Sequence, residues 1–110
     1  MDELCVVALR KMSRVATLIR GKWKLEILCV MRLQPVRLSQ LKRQIPSASK
    51  KAVLAQLRSL EAEGVVVRND KSGTLLHVEY DFNDTVREPL SNLLDNLAEW
   101  GGVLLEGDAS

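Results

Sequence analysis

Apolar residues at Leu4, Val7, Ala8, Met12, Val15 and Ile19 recur at intervals of three and four, which predicts an amphipathic helix over 4–19. Gly21 breaks this helix. A second helix is predicted to carry Trp23, Ile27, Leu28 and Met31 on one stripe and to end by Pro35, because the residue ahead of a proline is pushed out of helical conformation. Val36-Arg37 then has room for a stub of strand. Ser39 is read as the cap of a short helix with Leu38, Leu41 and Ile45 inward, stopped by Pro46.

The clearest helix is predicted from Lys50 to Glu63. Ser49 is placed to accept its orphan amides, and Gly64 occupies the position just past its end. Val53, Leu57 and Leu60 form its apolar stripe, with Leu54 at the edge. The opposite face carries Lys51, Ala55, Arg58, Ser59 and Ala62, and is therefore basic and small-featured. The period then falls from 3.6 to 2. Val65-Val66-Val67 reads as strand, and Leu76, Val78, Tyr80 and Phe82 alternate with His77, Glu79 and Asp81 in a second one. Asp70-Lys71-Ser72-Gly73 supplies turn residues between them, so a hairpin with a solvated tip is expected. Asn83 is read as the cap of a long final helix with Leu90, Leu93, Leu94, Leu97, Trp100 and Leu104 on a broad apolar face. Pro89 predicts a kink or a late start there, and 106–110 is expected to fray.

Charge sharpens this picture. The formal net charge is only +2, but residues 1–60 hold 13 Lys/Arg against 3 Asp/Glu, while 61–110 hold 3 against 11. So strong an asymmetry suggests that one part of the molecule meets a polyanion. With 110 residues, 46% of them hydrophobic, a single domain over 1–110 is expected. No apolar run reaches the roughly 18 residues that cross a bilayer, and the N-terminus lacks the regions of a secretory signal, so a cytoplasmic protein is expected. Cys5 and Cys29 are too few for a disulfide scaffold and are read as structural thiols.

In order, the elements are helix, helix, strand stub, helix, helix, hairpin, helix. This is the plan of a mainly α (α+β) winged helix-turn-helix with a two-stranded β wing and long terminal helices. A major groove about 12 Å wide admits one helix, and the Lys50–Arg58 segment has the shape and charge to enter it. Ala52 and Ala55 would permit close approach, while Lys51, Gln56 and Arg58 offer donors to bases or phosphates, Gln56 lying nearer the buried side. Arg68 and Lys71 flank the wing tip, where basic residues lie along a phosphate backbone.

Several segments together resemble the HxlR-type transcriptional regulators: Gly21-Lys22-Trp23-Lys24 with Ile27-Leu28, Leu38-Ser39-Gln40-Leu41-Lys42, Ser49-Lys50 with Leu54, Leu57 to Leu60-Glu61, Gly64-Val65-Val66 with Arg68, Val78-Glu79-Tyr80, and Ala98-Glu99-Trp100-Gly101. The resemblance covers about residues 10 to 102. It implies a MarR-like winged helix and a homodimer formed by the first and last helices, bound to palindromic operators. In several members of the family a cysteine some 12 residues before the lysine of the GKW motif senses electrophiles. Here that place falls near Arg10, with Cys5 further upstream, so no sensing role is carried over. The usual glycine pair before that motif is Arg20-Gly21 in this chain, and a proline often found before the VEY motif is absent at Leu75-Leu76.

The expected interface with double-stranded DNA thus comprises Ser39, Lys42, Ser47, Ser49, Lys50, Lys51, Ala55, Gln56, Arg58, Arg68 and Lys71, within a DNA-binding core and wing over 22–82. The expected dimer interface comprises Leu4, Val7, Ala8, Leu90, Leu93, Leu94, Leu97 and Trp100, on helices over 1–20 and 83–105. The partners are an inverted-repeat operator and a second copy of the chain. An enzyme is disfavoured, because the lone His77 has no Cys or His at metal-ligand spacing and no glycine-rich phosphate loop is present, so no catalytic residue, metal or cofactor is assigned. A winged-helix module that binds protein rather than DNA stays open as the alternative, since fold does not fix function.

Overall fold

In a computed structural model of the chain, which describes residues 2–70 and 78–109, the elements follow the expected order. Helix α1 spans Glu3–Arg20 and α2 spans Lys24–Met31. The Asp2 side chain accepts the Cys5 N–H at 2.8 Å and so caps α1. The helix stops before Gly21, as expected, but the left-handed backbone of this connection falls on Trp23, at φ 70°. Trp23 therefore stands ahead of α2 and not on its stripe. It packs half-buried against the core, with Lys22 Nζ 5.3 Å above its ring.

Helix α3 (Leu38–Gln44) and helix α4 (Lys50–Ala62) follow. The cap of α3 is Arg37, whose N–H donates to the Gln40 side chain at 2.7 Å; Ser39 lies inside the first turn. The displacement from the expected cap has a backbone cause. Val36 exchanges both of its main-chain hydrogen bonds with Tyr80, at 2.9 and 2.8 Å, so the chain is still extended at Val36 and helix begins two residues on. At α4 the sequence reading holds at both ends. Ser49 Oγ accepts the Ala52 N–H at 3.0 Å. Gly64, at φ +79°, donates to Glu61 O, and Val65 donates to Leu60 O, both at 3.0 Å. This pair of bonds satisfies the last carbonyls and turns the chain straight into the hairpin.

Strands β1 (Val66–Asp70) and β2 (Val78–Phe82) pair antiparallel, with Val66 opposite Phe82 and Arg68 opposite Tyr80. Because Tyr80 also pairs with Val36, β2 lies between β1 and the stub ahead of α3. Val78, Tyr80 and Phe82 point inward, as the alternation requires. They meet Ile27, Leu28 and Met31 of α2, Leu41 of α3, and Val53, Leu57 and Leu60 of α4 in one core. His77 and the expected turn residues Lys71, Ser72 and Gly73 lie outside the described residues.

Helix α5 runs from Asp84 to Ala109. Asn83 Oδ1 accepts the Thr85 N–H at 3.2 Å, as a cap should. Neither a late start at Pro89 nor an unwound end at 106–109 is found. Pro89 removes only the bond its N–H would make to Thr85, and the start of the helix is held by Arg87, which donates to Asp81 and Asp84 at 2.9 and 3.0 Å and to Phe82 O at 3.1 Å. Asp81, expected on a merely solvated strand face, is thus a half-buried anchor for α5. Leu90 and Leu94 are 7% and 4% exposed and belong to the core of their own chain, with Leu93 and Leu97 packed alongside.

Beyond that contact the outer ends of α1 and α5 project. The radius of gyration is 16.0 Å, against about 13 Å for a compact chain of this size. This is a winged helix-turn-helix whose first and last helices extend away from the body. Replacing Gly64 isolates the left-handed closure of α4. A Cβ there meets nothing within 4 Å, so Gly64→Ala should cost only the left-handed penalty, about 1 kcal/mol in urea unfolding, and Gly64→Asn distinctly less.

Candidate nucleic-acid interface

The site is built on α4. Fully burying three branched aliphatic side chains contributes roughly 5 to 9 kcal/mol, whereas an exposed charge is worth under about 1 kcal/mol wherever it points. Val53, Leu57 and Leu60 therefore set the rotation of the helix, all of them sealed from solvent. Spacings of four, three and four then place Lys51, Ala55, Arg58 and Ala62 on the exposed side. Lys50 is also exposed, at the first turn. None of Lys50, Lys51 or Arg58 forms an ion pair with a described residue. Gln56 is half-buried, on the flank anticipated for it.

The remaining expected contacts divide. Ser47 is exposed in the turn before α4, and Ser39 is exposed on the first turn of α3. Ser49 spends its oxygen on the α4 cap but keeps a hydroxyl proton to donate. Lys42 is half-buried, and its ammonium donates to the Ala48 carbonyl, tying α3 to the turn that enters α4. It braces the helix-turn-helix angle besides adding positive charge. Arg68 is exposed on β1 with Asp70 3.9 Å away, and Lys71 lies outside the described residues. The structure adds Arg37, exposed at the α3 cap and beside Ser39, Lys42 and Lys50. A basic residue after a strand stub signalled it, but the two-residue stub gave no face to which to assign it.

Both cysteines are exposed, which corrects the expectation of buried structural thiols. Cys5 lies on the first turn of α1, where the body gives no cover. Cys29 is on the outer side of α2, and partial burial pushes its thiol above the ordinary value, against a lesser opposing effect of Arg32. It carries little thiolate at neutral pH. The described residues contain no group of three His, Cys, Asp or Glu able to hold a metal.

The terminal helices carry the other candidate surface. Leu4 is 83% exposed, and Val7, Ala8, Leu9, Met12 and Val15 follow it along exposed positions of α1. On α5, Trp100 is 68% exposed and Val103, Leu104 and Leu105 are similar. The expected dimer residues thus separate into Leu90 and Leu94, used up inside the chain, Leu93 and Leu97, half-buried against its core, and Leu4, Val7, Ala8 and Trp100, which are uncovered.

Comparison with known proteins gives a consistent picture. The HxlR-like helix-turn-helix family matches residues 18–108. The uncharacterized HTH-type transcriptional regulator YdzF of Bacillus subtilis is 35% identical over 102 residues, covering 92% of this chain and 93% of its own. Among solved structures, the HTH-type transcriptional regulator ytcD superposes with a TM-score of 0.77 at 34% identity, over 86% of this chain and 96% of its own. The reduced form of the redox regulator HypR gives 0.78 at 28% identity, over 88% and 98%.

The division of the basic residues into braces and free cations has a measurable consequence. Lys42→Ala should lose about 1 kcal/mol of stability, because the Ala48 carbonyl loses its donor. Lys51→Ala and Arg58→Ala should each stay within about 0.5 kcal/mol of the parent. Urea midpoints for the three variants check both statements.

Proposed function

The chain belongs to the HxlR-like helix-turn-helix family, and we propose that it is a transcriptional regulator that binds double-stranded DNA as a homodimer, with α4 in the major groove. The observation that carries this reading is the outer face of α4, where Lys50, Lys51 and Arg58 stand free around the small Ala55. Small side chains let the helix backbone approach base edges. Unpaired cations add phosphate contacts, which supply most of the affinity at moderate salt. Arg37 and Arg68 extend the positive surface to either side. The role is binding rather than catalysis, and the reading places the protein in the cytoplasm with the DNA it contacts.

The surface left over supports homodimerisation. The chain exposes 7844 Å², against roughly 6100 Å² expected for a monomer of its 12.3 kDa. The excess is about twice what one partner contributes to a standard interface, and doubled over two chains it falls in the range of obligate homodimers. It coincides with the apolar outer stretches of α1 and α5, which a second copy would cover around a two-fold axis. Two α4 helices so related would enter successive major grooves about 10 base pairs apart, and the operator would be an inverted repeat.

Sedimentation at micromolar concentration should give a species of twice the 12.3 kDa protomer mass. Trp100→Glu and Leu104→Glu should yield folded monomer, because both side chains are already exposed, whereas Leu94→Glu should unfold the protein by burying a charge. A parent protein that stays at protomer mass contradicts the dimer.

The Lys51→Ala/Arg58→Ala double variant should bind duplex weakly between 50 and 200 mM salt and flatten the log–log salt slope by up to about two per protomer. A folded double variant that binds as tightly as the parent removes α4 from the interface.

A further inference from the structure

Burial decides which side chains α4 can turn toward a partner, and those side chains are chemically one-sided. Lys51, Ala55, Arg58 and Ala62 are exposed on the side away from Val53, Leu57 and Leu60. At 3.6 residues per turn they share a sector about 60° wide. Lysine and arginine carry donors and no acceptor, and alanine offers only a methyl group. The groups of α4 and its ends that could accept a hydrogen bond lie elsewhere. Gln56 and Glu61 are half-buried on the two flanks of the sector, and Ser59 is half-buried beyond its edge. Glu63, past the end of the helix, is paired with Arg14. Ser49 spends its oxygen on the Ala52 N–H.

The four bases differ in what they present in the major groove. Guanine offers two acceptors, O6 and N7, and thymine one acceptor beside a methyl group. Adenine and cytosine each offer an amino donor. A sector of donors and methyl groups therefore matches guanine and thymine, and it has no acceptor for the amino groups of the other two. The helix also fixes a spacing. Lys51 and Arg58 stand seven residues apart, close to two turns, so at a rise of 1.5 Å per residue they lie about 10 Å apart along the axis, roughly three base-pair steps. Ala55 stands between them.

Resting on the DNA-binding reading above, we propose that α4 selects operators by their guanine and thymine edges. Lys51 and Arg58 each donate to O6 and N7 of a guanine, and the two guanines stand about three base pairs apart in each half-site. The Ala55 methyl lies on the C5-methyl of a thymine between them. Exchanging either G·C pair for A·T puts an amino donor against a cationic donor, so both residues determine specificity as well as affinity.

Selection from a pool of random duplexes by the full-length parent, with the bound members sequenced, tests this. Enriched half-sites should carry two G·C pairs about three base pairs apart with a thymine between them. In the enriched duplex, exchanging one of these G·C pairs for A·T should weaken binding at least fivefold. Replacing its guanine by 7-deazaguanine, which lacks the N7 acceptor, should weaken binding severalfold. Uracil in place of the thymine, which removes only the methyl, should weaken it about threefold. Lys51→Ala should erase the preference at one guanine and Arg58→Ala at the other, while Lys51→Arg should keep it.

Adenine or cytosine enriched at these positions, or a parent indifferent to 7-deazaguanine, overturns the proposal. So do alanine variants that weaken every duplex alike and keep the base preference, because both cations then meet phosphate alone. These outcomes leave the DNA-binding reading standing. A parent that retains no duplex from the pool at low salt overturns that reading, and the proposal with it.

Discussion

Burial of Val53, Leu57 and Leu60 on one side of α4 sets the geometry on which the rest of the molecule depends. Several kilocalories of apolar burial fix the rotation of the helix, and the exposed charges contribute too little to change it. Lys51, Ala55 and Arg58 are therefore displayed because their neighbours are buried. The ends of the helix are as closely specified. Ser49 opens it, the left-handed Gly64 closes it, and Lys42 fixes the turn that precedes it through the Ala48 carbonyl.

The hairpin is joined to this unit by backbone rather than by side chains alone. Tyr80 pairs with Arg68 on one side and Val36 on the other, so the wing and the segment leading into α3 share one residue. Arg87 extends the same frame to α5 through Asp81, Asp84 and Phe82. The outer part of α1 is held more loosely, by an exposed ion pair between Arg14 and Glu63. The apolar stripes of α1 and α5 continue past the body, so that part of their stability rests on what covers them.

Much of this was legible in the sequence where local and global signals agree. The apolar stripe of α4, its serine cap and its closing glycine all point to one helix, and the alternation of Val78, Tyr80 and Phe82 could belong only to a strand with one buried side. The misses arose where a distant partner overrode a local preference. Ser39 is a good cap by type, but the pairing of Val36 with Tyr80 keeps the chain extended and hands the cap to Arg37. Trp23 belongs to the apolar set of α2 by spacing, yet takes a left-handed turn ahead of that helix. Pro89 is tolerated because Arg87 and Asn83 secure the helix before it. Leu90 and Leu94 could not be told from Trp100 by periodicity, since a stripe does not say where the body ends. Of the candidate DNA contacts, the free cations of α4 followed directly from helical phase. The bracing role of Lys42 did not, because it depends on a carbonyl six residues away.

The central claim is that the outer face of α4 is the surface that meets DNA. Titrating ¹⁵N-labelled protein with a duplex from the region upstream of its own gene, and following each backbone amide, tests it most directly. The account predicts that the largest shifts fall on Lys50, Lys51, Ala55 and Arg58, with smaller ones at Arg37 and Arg68 and none at Trp100. Shifts confined to the outer ends of α1 and α5, with α4 silent at saturating duplex, would contradict it.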